Sequence, residues 1–130
     1  MDYGSEVVRR FETGQGAGRL AMDAPGVVYG EAEDRALNVW VRFYVQVLDG
    51  RVAAVRFRVF GCPHTVAAAS WAAEWIEGRD VQSLTELDVQ AGVRALAMPV
   101  EKVGKLLRIE DAVIACWRKL TGQDRAGNGS

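Results

Sequence analysis

A chain of 130 residues, 49% apolar and 25% charged with a formal net charge of −1, has the makeup of one soluble globular domain and no overall basic field for nucleic acid. No apolar run reaches membrane-spanning length, and the first residues form no signal-peptide pattern. Two distant cysteines, Cys62 and Cys116, make no disulfide framework, so a reducing cytoplasm is the expected compartment.

Residues 1–10 open the chain, and Tyr3, Val7, Val8 and Phe11 fall at loosely helical spacing. They predict a short helix that docks on the body or a mobile arm. Residues 13–18 are a glycine-rich connector. It lacks the preceding strand and the Gly-Lys-Ser/Thr of a phosphate loop, so no phosphate site is read there. Residues 26–30 predict a short strand, and Glu31, Glu33 and Asp34 an acidic turn. In residues 38–47, Val39, Val41, Phe43, Val45 and Val47 alternate with Arg42, Tyr44 and Gln46, the period of a half-buried strand. Asp49-Gly50 is a hairpin signal, and residues 51–60 are the returning strand. The alternation places Val39, Val41, Phe43, Val45, Val55, Phe57 and Val59 on one buried sheet face.

Residues 57–70 hold the main feature: a strand, a glycine at Gly61, and a helix start at Pro63. Cys62 therefore falls at or beside the helix N-cap, where free N–H groups and the helix dipole favour a thiolate. His64, the only histidine, is two residues on. Either the thiol is reactive or metal-binding, or it is a structural thiol under a helix start. The helix runs over 63–77 with an inner side of Ala67, Ala68, Ala69, Ala72 and Ala73, bulk at Trp71, Trp75 and Ile76, and a stop at Gly78. Ser83 to Glu86 has capping-box form, and residues 88–96 predict a further helix with Gly92 inside it. Met98-Pro99 breaks the chain. The longest helix follows over 100–120, with Val103, Leu106, Leu107, Val113, Ile114, Trp117 and Leu120 on its apolar side. Strands followed by helices mean an α+β fold: a small antiparallel sheet of about three strands packed by helices, in one domain over 1–122. Residues 123–130 are polar and glycine-rich and read as a disordered tail.

Several blocks together carry a resemblance. Phe60-Gly61-Cys62 before a helix with Ala67-Ala68-Ala69-Ser70, then Glu74-Trp75-Ile76-Glu77-Gly78, Met98-Pro99-Val100-Glu101-Lys102 and Ile109-Glu110-Asp111-Ala112, is similar to the IscU/NifU-type iron–sulfur cluster scaffold family. The similarity runs from Tyr3 to Trp117. It implies that family's small antiparallel sheet packed by helices, and a site at which three cysteines converge beside an aspartate and often a histidine. Cys62 matches the middle cysteine. The first falls at Ala36 or Leu37, the aspartate at or next to Asn38, the histidine at Gly104 and the third cysteine at Lys105. Residues Met98, Pro99, Glu101 and Lys102 stand in the segment that the family's chaperone reads, and are implied partner contacts. The implied cargo is an iron–sulfur cluster, iron or zinc, with Cys62 and His64 as protein ligands and Asp34 and Glu33 as stand-in oxygen ligands. One thiol and one imidazole are too few to enclose a cluster or fill a tetrahedral zinc site, so a chain that binds none is equally open.

Three functions stay in play. One is a cluster-assembly scaffold completed across a homodimer or by a partner. Another is an adaptor that docks on a cysteine desulfurase or other assembly protein and binds no cluster. The last is a sulfur carrier or enzyme using Cys62 as nucleophile. No nucleic-acid or membrane partner is expected. The resemblance also places the Lys105 ammonium beside the Cys62 sulfur, where it would favour the thiolate; an exposed, solvated lysine is the competing expectation.

Overall fold

The computed structural model describes residues 4–122, so Tyr3 and the expected tail over 123–130 lie outside the described residues. Its elements are helix α1 (Ser5–Thr13), strands β1 (Val27–Asp34), β2 (Val39–Leu48) and β3 (Arg51–Phe60), and helices α2 (Pro63–Ile76), α3 (Val89–Ala95) and α4 (Val103–Thr121). Two 3-10 turns, Val81–Thr85 and Val100–Lys102, join the last helices. The strands form one antiparallel sheet in the order β1-β2-β3. Among the described residues no helix is long and apolar enough to cross a membrane.

Period-2 alternation fixes the register, because a one-residue slip would turn every valine to the wrong face. Val41 lies opposite Val59, Phe43 opposite Phe57 and Val45 opposite Val55. Asp49 and Gly50 both take positive φ (52° and 76°), the two-residue turn that matches strand twist. Val39, Val41, Phe43, Val45, Val55 and Phe57 are buried as expected, with Ala69 and Ala73 of α2 in the same core. Val59 is only partly buried.

The expected acidic turn is strand instead. Glu31, Glu33 and Asp34 continue β1, and the turn is residues 35–38, with Asn38 at φ 56°. The reason is non-local. Glu31 stands opposite Arg42 in the ladder and binds its guanidinium, so the acidic stretch gains cross-strand partners. The sheet's second face is also drier than alternation suggests. Tyr44 is buried there, since the Arg42 guanidinium lies across Tyr29 (4.4 Å), Trp40 (5.7 Å) and Tyr44 (6.0 Å), and Lys119 caps the Tyr29 ring at 3.5 Å.

Helix α2 is buried nearly all round, from His64 and Thr65 through its alanines to Ile76. Small side chains let it lie against the sheet, α1 and α4 together. Helix α1 spans Ser5–Thr13 rather than 1–10. It docks through Val7 and a buried Arg10, whose guanidinium meets Glu6, Ser70 Oγ and Glu74, while Phe11 and Val8 stay exposed. The glycine connector covers the outer edge of β3: Phe57 N–H donates to Gly16 O (3.0 Å) and Gly18 N–H to Phe57 O (2.8 Å).

Ser83 caps no helix. It sits inside the 3-10 turn Val81–Thr85, which Asp80 caps by accepting from Gln82 N–H. Helix α4 buries Leu106, Ile109, Ala112, Val113 and Cys116. The expected stripe holds at Leu106 and Val113, with Val103, Trp117 and Leu120 packed against the core, but Leu107 is on the exposed side, and the packing of α4 across β1 and β2 buries Ile109, Ala112 and Cys116 as well.

Candidate functional site at the start of helix α2

Cys62 is the N-cap of α2 in extended conformation (φ −77°, ψ 170°), with Pro63 at the first helical position. Its carbonyl accepts the first helical bonds, from Thr65 N–H (2.9 Å) and Val66 N–H (3.1 Å). Its half-buried sulfur sits 3.6 Å from Thr65 Oγ1. From the start of α4, the Lys105 ammonium donates to Cys62 Sγ (3.5 Å) and to the Leu37 carbonyl (3.3 Å). Three distant stretches, the 35–38 turn, the α2 start and the α4 start, thus meet through the Lys105 ammonium. Lys105 is tied at both contacts rather than pointing to solvent.

The electrostatics favour a thiolate. Burial pushes the thiol up, but the Thr65 hydroxyl, the Thr65 and His64 amides and the Lys105 ammonium together outweigh it, leaving Cys62 below the ordinary thiol value. His64 is buried, and burial first, then the Lys102 and Lys105 cations, lowers its pKa, so the imidazole is neutral at pH 7. Cys116 behaves oppositely. It is fully buried, donates to the Phe43 carbonyl (3.5 Å), and is pushed up to about 12 by that burial. It is a packing residue, inert as a nucleophile.

Thr65 was not singled out from sequence, and Leu37 entered only as a position matching the family's first cysteine. Thr65 was readable in principle, three residues beyond an N-cap where side chains reach back. The Leu37 carbonyl had no sequence signal, because its part depends on where the 35–38 turn lies.

The expected oxygen ligands are engaged elsewhere. Asp34 Oδ1 accepts from Leu37 N–H (3.1 Å), closing the 35–38 turn, and Oδ2 faces Arg108 (3.4 Å). Glu33 stands opposite Trp40 in the ladder and pairs loosely with Arg35 (3.7 Å). Among the described residues no group of three or more His, Cys, Asp and Glu side chains is arranged to hold a metal ion. Within one chain the donor set at Cys62 does not fit a cluster or a four-coordinate zinc. Of the expected partner segment, Met98 is packed into the core and offers no surface. Val100, 88% exposed, is the apolar side chain that this segment does present.

The thiolate can be tested directly. In a Cys116→Ala background, the pH midpoint of Cys62 alkylation should lie below that of an unperturbed thiol. It should rise in Lys105→Ala, because removing a neighbouring cation destabilises the charged form. It should rise further in Thr65→Val, which removes the larger stabilising contact. A midpoint left in place by both substitutions would make Cys62 a structural cap.

Residues 2–124 match the family model described as NifU-like N terminal domain. The chain is 27% identical over 119 residues to the iron-sulfur cluster assembly scaffold protein IscU of Azotobacter vinelandii, covering 91% of this chain and 93% of that protein. It is 27% identical over 116 residues to the IscU of Rickettsia prowazekii, covering 88% of each. Among solved structures, the N-terminal NifU-like protein of Brucella abortus superposes with a TM-score of 0.71 at 17% identity, covering 92% of this chain and 94% of that one. A putative iron-sulfur cluster assembly scaffold protein for the SUF system from Fervidobacterium islandicum gives 0.67 at 16% identity, covering 88% and 96%. At these identities the two structures speak for the fold alone.

Proposed function

Because this chain belongs to the family of NifU-like N-terminal domains, we propose that it serves iron–sulfur cluster assembly as a non-enzymatic protein of scaffold fold, contributing one thiolate, Cys62, to a site completed outside the chain. The observation that carries this reading is the meeting of Cys62, Lys105 and the 35–38 turn at the α2 N-terminus, at positions where the family resemblance puts its cysteines. Iron or a cluster is cargo here, not a resident cofactor. Its missing ligands come from a second copy or from the assembly partner, a cysteine desulfurase or another assembly protein. His64 and the oxygens of Asp34 and Glu33 stay secondary candidates: the imidazole is buried, and the carboxylates are engaged with Leu37 N–H, Arg108 and Arg35. The unit is a single domain over 1–122 that works in the cytoplasm, without nucleic acid. Pro99, Val100, Glu101 and Lys102 form the partner contact, with Met98 holding the segment in place from the core.

One observation favours a second reading. Lys105 already neutralises the thiolate where another ligand would stand, which suits an adaptor that docks on the desulfurase and holds no cargo. Anaerobic purification with iron, zinc and acid-labile sulfide analysis separates the two. The isolated monomer should carry no cluster, and spectra after reconstitution should lack thiolate-to-iron bands. Loading that appears only when a desulfurase or a second copy is bound, and vanishes in Cys62→Ala, supports the one-thiolate site. A metal-free protein that still co-purifies with the desulfurase supports the adaptor. A stable cluster on the monomer would overturn both. Persulfide on Cys62 would point to a sulfur carrier.

A further inference from the structure

The contact between Lys105 Nζ and Cys62 Sγ is more than a charge pair. It puts an amine nitrogen 3.5 Å from a sulfur that is half-buried but not sealed. A cysteine oxidised to the sulfenic acid stage is an electrophile at sulfur, and it condenses with a nearby thiol or nitrogen. Here no thiol is in reach: Cys116 is fully buried and hydrogen-bonded to the Phe43 carbonyl. The nitrogen in reach is Lys105, carried on a flexible four-carbon stem and already aimed at the sulfur by its second bond, to the Leu37 carbonyl.

The geometry points to a reversible covalent cross-link between Cys62 and Lys105, a sulfenamide formed when a hydroperoxide oxidises the thiol. In the first step the sulfur attacks one peroxide oxygen. The O–O bond breaks, Cys62 is oxidised by two electrons to the sulfenic acid, and hydrogen peroxide is reduced to water. In the second step Lys105 Nζ, having released a proton to solvent, attacks Sγ. The S–O bond breaks, water leaves with the sulfenic oxygen and a proton from nitrogen, and an S–N bond remains. The pair loses two hydrogens in all. A small-molecule thiol reverses the link by attacking sulfur and expelling the amine, with a second thiol completing the reduction.

The link ties the start of α2 to the start of α4 and closes Cys62 to any cargo or partner. It also stops oxidation before the irreversible sulfinic stage. The inference rests on the two side chains alone and stands whether or not the protein serves cluster assembly.

The test is intact-mass and peptide-mapping mass spectrometry of the full chain after stoichiometric hydrogen peroxide, in Cys116→Ala. The expected result is a loss of about 2 Da, a cross-linked peptide joining Cys62 to Lys105, and recovery of the starting mass with dithiothreitol. Lys105→Arg should instead gain about 16 Da and be trapped by dimedone. If Cys116→Ala does not fold, the same peptide map on the unsubstituted chain decides, since a Cys62–Cys116 disulfide gives a different peptide. Three outcomes overturn the inference: a gain of about 16 or 32 Da on Cys62 with Lys105 unmodified, a Cys62–Cys62 dimer, or the same mass loss in Lys105→Arg.

Discussion

Phe57→Ala is expected to cost about 3–5 kcal/mol of folding stability. Phe57 is 1% exposed, faces Phe43 across the β2–β3 ladder at a ring separation of 5.9 Å, and has Gly16 of the connector packed against its edge. Truncation removes a buried ring and leaves a cavity that the sheet on one side and α2 on the other cannot close. The loss is a large share of the roughly 5–15 kcal/mol that holds a domain of this size together. Phe60→Ala is the internal control. Three residues along the same strand, Phe60 is 67% exposed, so its truncation should stay within about 0.5 kcal/mol. Urea denaturation of both variants checks the pair. Equal costs would mean that the register places the strand wrongly.

The second large effect belongs to a glycine. An added Cβ at Gly30 would lie 2.5 Å from the Ala112 carbonyl oxygen, 2.6 Å from Cys116 N and 2.8 Å from the Ala115 Cβ. Two of these are backbone atoms of α4, which no rotamer change can move. Gly30→Ala must therefore push β1 and α4 apart, and should cost about 3 kcal/mol, the upper end of ordinary overpacking. The displacement reaches the site. Lys105 and Arg108 ride on α4, while Asp34 and the 35–38 turn follow β1, so the Lys105–Leu37 and Arg108–Asp34 contacts span the joint being forced open. The Cys62 alkylation midpoint should rise in the same variant. Gly104→Ala is the contrast. Its Cβ would meet only the tip of Leu37 at 3.3 Å, and alanine improves helix propensity. A Gly30→Ala protein as stable as the parent, by urea denaturation, would mean that β1 and α4 are less closely packed than these distances state.

Elements whose signals are local were legible from the chain alone. Two strands alternate with period 2, Asp49-Gly50 can take the positive φ values of a tight hairpin, and Pro63, two residues after Gly61, fits the first position of a helix. These are properties of a few neighbouring residues, so they survive without knowledge of the rest, and with them came Cys62 at a helix N-cap. Residues decided by partners far along the chain were not legible in this way. Glu31 and Glu33 look like a solvated turn until Arg42 and Trp40 stand opposite them. Tyr44 looks exposed until Arg42 lies over it, and Met98 looks available to a partner until it is packed into the core. The site divides the same way. Local signals placed the thiol at the start of a helix and the family resemblance set Lys105 beside it, whereas the Thr65 hydroxyl and the Leu37 carbonyl came into view only with the tertiary structure. A lysine's position is set by the backbone beneath it, here the start of α4, and by the acceptors within reach of its stem, here Cys62 and Leu37, 43 and 68 residues away.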